Sequence, residues 1–291
     1  MKNKTDIYET VTNTIIEALE NGLNGKLEMP WHGVTALPQN ARTEKNYNGI
    51  NVPLLWVYQI KKEYQSGIWA TYKQWQDLGA QVKKGEKGAP VVFWKSIEVE
   101  PSDDNEDVQT RMFAKHSTVF NVAQVEGYEA VFQDFEPNDI QAIAAADHLL
   151  DSSGVEIRHG EGGAYYSVQG DYINLPYPEF FKDTNDSSAT ENFYSTAFHE
   201  LTHASGAKHR LNRDMNHKFA SKDYAFEELI AEIGAAMLCV STGVTPAPRE
   251  DHALYIQHWL KALKEDKKFI FAASSQAQKA ADYLHSFTKE N

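Results

Sequence analysis

His199, Glu200 and His203 spell H-E-x-x-H within Phe193–Ala204, a run free of proline and glycine. Residues four apart on a helix share a face, so both imidazoles can point at one metal ion. The glutamate between them falls beside that ion, placed to take a proton from a water bound there. These residue types at this spacing carry out zinc-assisted hydrolysis, in which the metal polarises a scissile carbonyl and acidifies the water. Zn2+ is therefore the expected cofactor, with another divalent metal as the substitute.

A catalytic zinc takes three protein ligands and keeps one position open. Two features compete for the third. His209 completes the spelling H-E-x-x-H-x-x-G-x-x-H, with Gly206 letting the chain turn back. Glu228 and Glu232 lie four apart on a helical face that continues through the small residues Ala235, Ala236 and Cys239. Carboxylates on such a face are costly to bury unless they ligate or pair. The second arrangement is preferred: Glu228 binds the metal, Glu232 holds a ligand imidazole by its other nitrogen, and His209 is the alternative. Tyr165 or Tyr166 is a candidate to stabilise an oxyanion. Arg210 and Arg213 are candidates to bridge the site to DNA or to the acidic helix.

The elements that must position these groups are readable from pattern. Ile7, Val11, Ile15 and Leu19 form the apolar stripe of a first helix capped by Thr5 or Asp6. A second helix is expected over 51–64, a short strand over 68–72, a helical turn over 73–78, a basic hairpin turn at 82–88 leading into a strand over 90–95, and a returning strand over 110–121. The acidic stretch 98–107 reads as a flexible insertion and 131–138 as a linker. Beyond the linker come a helix over 139–152, three short strands over 155–158, 164–168 and 172–175 forming a small antiparallel sheet, and helices over 193–204, 225–240, 251–265 and 270–288. The fold class is α+β, divided into parts 1–130 and 131–291.

Composition narrows the setting. The 291 residues carry a net charge of −13 and one cysteine, Cys239, so an internal disulfide is excluded and a reducing, cytoplasmic compartment is expected. The N-terminus lacks the apolar core of a signal peptide, and no membrane partner is expected. Residues 26–95 alone are basic, with 10 Lys/Arg against 5 Asp/Glu. Single-stranded DNA is bound by flat side chains that stack on bases and cations that follow the backbone. Tyr47, Tyr72 and Trp75 are the stacking candidates, and Arg42, Lys45, Lys73, Lys83, Lys84 and Lys87 the phosphate candidates. Trp56, Trp69 and Trp94 lie in apolar runs and are expected in the core.

The segments HELTHASGAKHRLNRD and YAFEELIAEIGAAMLC resemble the ArdC-type antirestriction family of conjugative plasmids. So do MPWHGV, NYNGINVPLLW, WATYKQWQDLGAQVKKGEKG, PVVFWK, FNVAQVEGYE, AYYSVQGDYINLP and the C-terminal run from His252, so the resemblance covers nearly the whole chain. It implies a front part that binds single-stranded DNA and a back part with a zincin-like metallopeptidase fold, protecting incoming plasmid DNA against host restriction. The protein substrate is left unnamed, with host restriction or DNA-bound proteins as candidates. Position 209 is not usually histidine in that family, which favours Glu228. A DNA-binding protective protein with a structural or silent metal site is the alternative. A secreted metzincin-like protease would need an export signal and disulfides, and neither is written here.

Overall fold

The first helix, α1 (Ile7–Asn21), starts where the Asp6 carboxylate accepts the Tyr8 N–H at 3.0 Å, and it buries Val11, Ile15 and Leu19. The computed structural model describes residues 6–21, 29, 34, 36–99, 109–128, 139–160, 162–215, 221–247 and 252–288. After α1 come β1 (Gln39–Asn40), α2 (Asn51–Lys61), β2 (Ile68–Thr71) and α3 (Tyr72–Asp77). The last begins with a capping box: the Gln74 N–H donates to Thr71 Oγ1, and the Thr71 N–H to Gln74 Oε1. Then follow β3 (Gln81–Val82), β4 (Ala89–Val99), β5 (Gln109–Asn121) and β6 (Val125–Glu126).

These strands form a four-stranded sheet in the order β1-β2-β5-β4 and a separate pair, β3 with β6. The basic segment 82–88 is therefore not a hairpin turn as the sequence suggested, because Val82 pairs with Val125 rather than with the next strand. The strand expected over 90–95 runs on to Val99, paired with Gln109. Glu98 and Val99 thus belong to the sheet, while the rest of the acidic stretch, and the linker 131–138, lie outside the described residues.

The back part holds α4 (Asp139–Ser152), β7 (Glu156–His159), β8 (Tyr165–Ser167), β9 (Tyr172–Leu175), α5 (Ala189–Ser205), α6 (Lys222–Thr242), α7 (His252–Glu265) and α8 (Phe269–Ser286). Its sheet has the order β7-β9-β8. The β8–β9 pair is antiparallel as expected, but β7 adds to the far edge of β9 in parallel, so the sheet is mixed. Ile173 and Leu175 turn inward from β9, and Phe198 and Leu201 of α5 join them in the core. Apolar on nearly all sides, α6 is buried almost continuously from Ala225 to Val240, as a central helix must be. It stops at Gly243, whose φ of +79° is a left-handed cap that glycine adopts without strain.

One apolar cluster runs through both parts. Val11, Ile15 and Leu19 of α1 and Trp56 of α2 belong to the same core as Leu229 of α6, Trp259 of α7 and Ile270 of α8. Polar bonds follow the same seam: Thr12 Oγ1 donates to the Lys267 carbonyl at 2.8 Å, and the Gly49 N–H to Gln278 Oε1 at 3.1 Å. Among the described residues, no helix is long and apolar enough to cross a membrane.

Candidate functional site

Helix α5 starts from a capping box between Ser188 and Glu191, runs without a break, and buries His199, Glu200 and His203. Helix α6, capped by Ser221, lies against it and supplies Glu227, Glu228 and Glu232, all buried. The two helices come close because Gly234 has no side chain to meet Thr202.

His199 Nε2 and His203 Nε2 face each other at 3.2 Å, and the Glu228 carboxylate reaches them at 3.5 and 3.6 Å. Among the described residues, these three form the group whose donor atoms converge as metal ligands. Zinc–nitrogen and zinc–oxygen bonds of about 2.0–2.2 Å set tetrahedral ligands roughly 3.3–3.5 Å apart, so the donor set fits a divalent ion. The other nitrogen of each imidazole is also held. His199 Nδ1 lies 2.9 Å from Glu232 Oε1, and His203 Nδ1 lies 3.1 Å from Glu227 Oε1. A carboxylate at Nδ1 keeps the proton there and leaves Nε2 as the ligand atom.

Arg213 completes this shell. Its guanidinium binds both oxygens of Glu227 at 2.7 and 3.0 Å, and also the Thr202 carbonyl and Ser205 Oγ. It packs against Gly206, where a Cβ would fall 2.8 Å from Nη2. Burial alone would raise the two carboxyls, but His203 and Arg213 hold Glu227 below its ordinary range, and His199 and His203 hold Glu228 far below it. Burial likewise opposes the charged form of His203, yet Glu227 and Glu228 outweigh it and push that imidazole up to about 10.

A cleft of about 280 Å³ opens over the cluster, lined by Tyr165, Tyr166 and Val168 of the β8 region and by Tyr224 and Tyr255 of α6 and α7. Glu200 faces the same cleft. The two tyrosines named from sequence are engaged elsewhere: Tyr166 donates to Asp171 Oδ1 at 2.7 Å, and Tyr165 stands 3.4 Å from the Tyr172 hydroxyl. Tyr224 and Tyr255, whose hydroxyls meet at 3.1 Å, escaped the sequence reading. A signal for Tyr224 was present, since it precedes Glu228 and Glu232 at steps of four on one helical face. Burial, the bond to Tyr255 and the Glu228 charge all push its phenol upward, so it keeps its proton. Nothing in the spacing marks Tyr255.

His209 stands apart from the metal cluster. It is exposed and pairs with Asp171 Oδ2 at 3.3 Å, because the chain after Gly206 turns toward the β8–β9 loop. Arg210 grips the same Asp171 with both terminal nitrogens, at 2.6 and 3.1 Å. It ties that loop to the end of α5 through the Ala204 carbonyl.

In the front part, Arg42, Lys45, Tyr72, Lys73, Lys83, Lys84 and Lys87 are exposed and Tyr47 is half-buried. Asn40 links two of these regions, donating to the Tyr47 hydroxyl at 3.0 Å and to Gln74 Oε1 of α3 at 3.3 Å. The Tyr72 hydroxyl accepts from Gln81, two residues before Lys83. Trp75 is a correction: it is wholly buried, its indole N–H bonded to the Phe120 carbonyl, since it turns inward from α3. Trp94 is the converse correction. Expected in the core, it is 49% exposed because β4 is an edge strand that runs beyond its packing. Trp56 and Trp69 are buried.

The back part thus has the H-E-x-x-H helix, the flanking sheet and the glutamate-bearing helix of a zincin, and residues 144–276 match the zincin-like metallopeptidase model. Residues 5–120 match the N-terminal domain of the anti-restriction factor ArdC. The crystal structure of antirestriction ArdC from plasmid R388 in its metal-free form superposes with a TM-score of 0.81 at 38% identity, covering 97% of this chain and 98% of that one. Its Mn(II)-bound form gives 0.80 at 38% identity, covering 98% of this chain and 99% of that one. The chain belongs to the ArdC antirestriction family. It is also 41% identical over 290 residues to the uncharacterized protein y4eC of Sinorhizobium fredii, covering 97% of this chain and 92% of that protein. To the DNA primase TraC of Escherichia coli it is 34% identical over 307 residues, covering 99% of this chain but 28% of the primase.

Proposed function

We propose that this chain is a cytoplasmic antirestriction protein of a plasmid or other mobile element, in which residues 1–130 bind single-stranded DNA and residues 131–291 hydrolyse peptide bonds. The observation that carries the second half is the convergence of His199, His203 and Glu228, with each imidazole held from behind by a carboxylate. These three residues hold a divalent ion, with zinc as the first choice. When bound, that ion supplies a Lewis acid for the scissile carbonyl and for the attacking water.

The chain's own residues do the rest. Glu200 takes a proton from the attacking water and passes it to the leaving amine. Tyr224, kept protonated and braced by Tyr255, donates a hydrogen bond to the oxygen that gains charge. Glu232 and Glu227 keep the two imidazoles in the ligating tautomer. The substrate is a protein, with host restriction or DNA-bound proteins as candidates. In the front part, Arg42, Lys45, Lys73, Lys83, Lys84 and Lys87 follow the phosphates, and Tyr47 and Tyr72 offer rings to the bases.

The test is a comparison of wild type with Glu200→Gln for metal content, single-stranded DNA affinity and cleavage of a denatured protein mixture. The variant keeps metal and DNA and loses cleavage about 10²–10⁴-fold. Cleavage that survives Glu200→Gln overturns the catalytic assignment. Metal and DNA binding with no cleavage by the wild type favours a protective protein with a silent metal site.

A further inference from the structure

The loop that leads into α2 shapes an open depression of about 220 Å³ lined by Asn40, Thr43, Lys45, Asn46, Tyr47, Asn48 and Asn51. Four carboxamides, one hydroxyl, one phenol and one cation make a lining with no carboxylate and no aliphatic side chain. Two of the carboxamides are spent on building it. Asn40 braces the loop, accepting the N–H groups of Arg42 and Thr43 at 3.1 and 3.0 Å while holding the Tyr47 hydroxyl. Asn51 binds both the N–H and the carbonyl of Val92 at 2.7 Å, occupying the outer edge of β4 as a neighbouring strand would. The other two, Asn46 and Asn48, are exposed at the pocket and make no side-chain hydrogen bond among the described residues.

A carboxamide presents a donor and an acceptor side by side, the pattern that pairs with the edge of a nucleobase. Tyr47 supplies a ring, and Lys45 a single charge matched to one phosphate. The Asn51–Val92 bonds bring β4 alongside this loop. One residue beyond the Asn51–Val92 clamp, Phe93 is 46% exposed, and Lys115 stands directly opposite it on β5. An exposed ring beside a cation is the composition of a stacking platform on a single strand.

We propose that this pocket reads one base of a bound single strand through Asn46 and Asn48, while the adjoining base stacks on Phe93. The proposal rests on the single-strand-binding reading above and sharpens it: binding is selective at one position rather than indifferent to sequence.

The test uses the full chain and fluorescence anisotropy with a labelled twelve-nucleotide dT strand and three versions carrying dA, dC or dG at one central position. One of the four binds about fivefold tighter or more, the scale of a carboxamide–base pair. Asn46→Ala and Asn48→Ala, which keep the wild-type melting temperature, lower the affinity for the preferred strand and bring the four strands within twofold of one another. Phe93→Ser weakens all four alike, by about tenfold, and preserves the preference. Equal affinity for all four strands in the wild type, or a preference that survives both asparagine variants, overturns the base-reading pocket while single-strand binding stands. Unchanged affinity in Phe93→Ser overturns the stacking half, and binding to none of the strands overturns both this proposal and the reading beneath it.

Discussion

Gly234 of α6 lies so close to Thr202 of α5 that a Cβ at position 234 would sit 2.6 Å from Thr202 Cγ2 and 2.9 Å from its Oγ1. Thr202 is wholly buried and its hydroxyl is bonded to the Phe198 carbonyl at 2.8 Å, so it has little room to yield. The contact sets the spacing of the helices that carry His199, His203 and Glu228.

Gly234→Ala therefore forces those helices apart. The expected cost is about 1–3 kcal/mol of stability, the range for overpacking a tight core. Metal affinity falls with it, because donors set 3.2–3.6 Å apart no longer converge. Thermal melting and competition with a chromogenic chelator measure both effects, and a wild-type result in both would show that the contact is slack.

Glu228→Ala removes one of three ligands and lowers metal affinity by orders of magnitude, while His209→Ala, an exposed residue paired with Asp171, leaves it unchanged. Metal analysis of the two purified variants decides between them. The reverse result would make His209 the ligand and Glu228 a bystander.

The metal-free protein has a defined pH window. His203 is pushed from an ordinary 6.5 up to about 10, so its charged form adds stability in full below pH 6.5 and loses it as pH rises toward 10. Glu227 and Glu228 are held below an ordinary 4.5, so their contribution is present above that value and lost as pH falls below it. Metal-free stability is thus greatest between about pH 4.5 and 6.5. A metal ion must displace the His203 proton, so its affinity climbs as pH rises toward 10 and binding releases a proton. Calorimetry in buffers of different ionisation enthalpy measures that release; its absence would mean that His203 is neutral before the metal arrives.

Cys239 is fully buried, and burial pushes its thiol up to about 12. The native protein at pH 8 therefore resists a thiol reagent that labels it fully in denaturant. Rapid labelling of the native protein would show that the end of α6 opens to solvent.

Much of the site was legible because helical spacing is short-range information. Steps of four put His199 with His203 on one face of α5, and Glu228 with Glu232 on one face of α6. Glu227 could not be placed this way, since whether it joins Glu228 at the site depends on the phase of α6 against α5, which packing at Gly234 decides. Arg213 could be named as a bridge to the acidic helix, but its target depends on how the chain folds back over Gly206. The front part was harder to read for a similar reason. Val82 pairs with Val125 across 42 intervening residues, and no local pattern announces it. Trp75 and Trp94 exchanged their expected places because exposure there follows the turn of α3 and the edge position of β4, not the apolarity of their neighbours.

The shared core has a consequence for how such proteins are assembled. Cutting between residues 120 and 144, where the two family matches leave off and resume, would strip Val11, Ile15, Leu19 and Trp56 from the cluster that holds Trp259 and Ile270. Either fragment would expose apolar surface that its partner now covers. The two parts are then one cooperative unit and not separable halves, and the similarity to the far longer primase TraC likewise runs across both, over 99% of this chain.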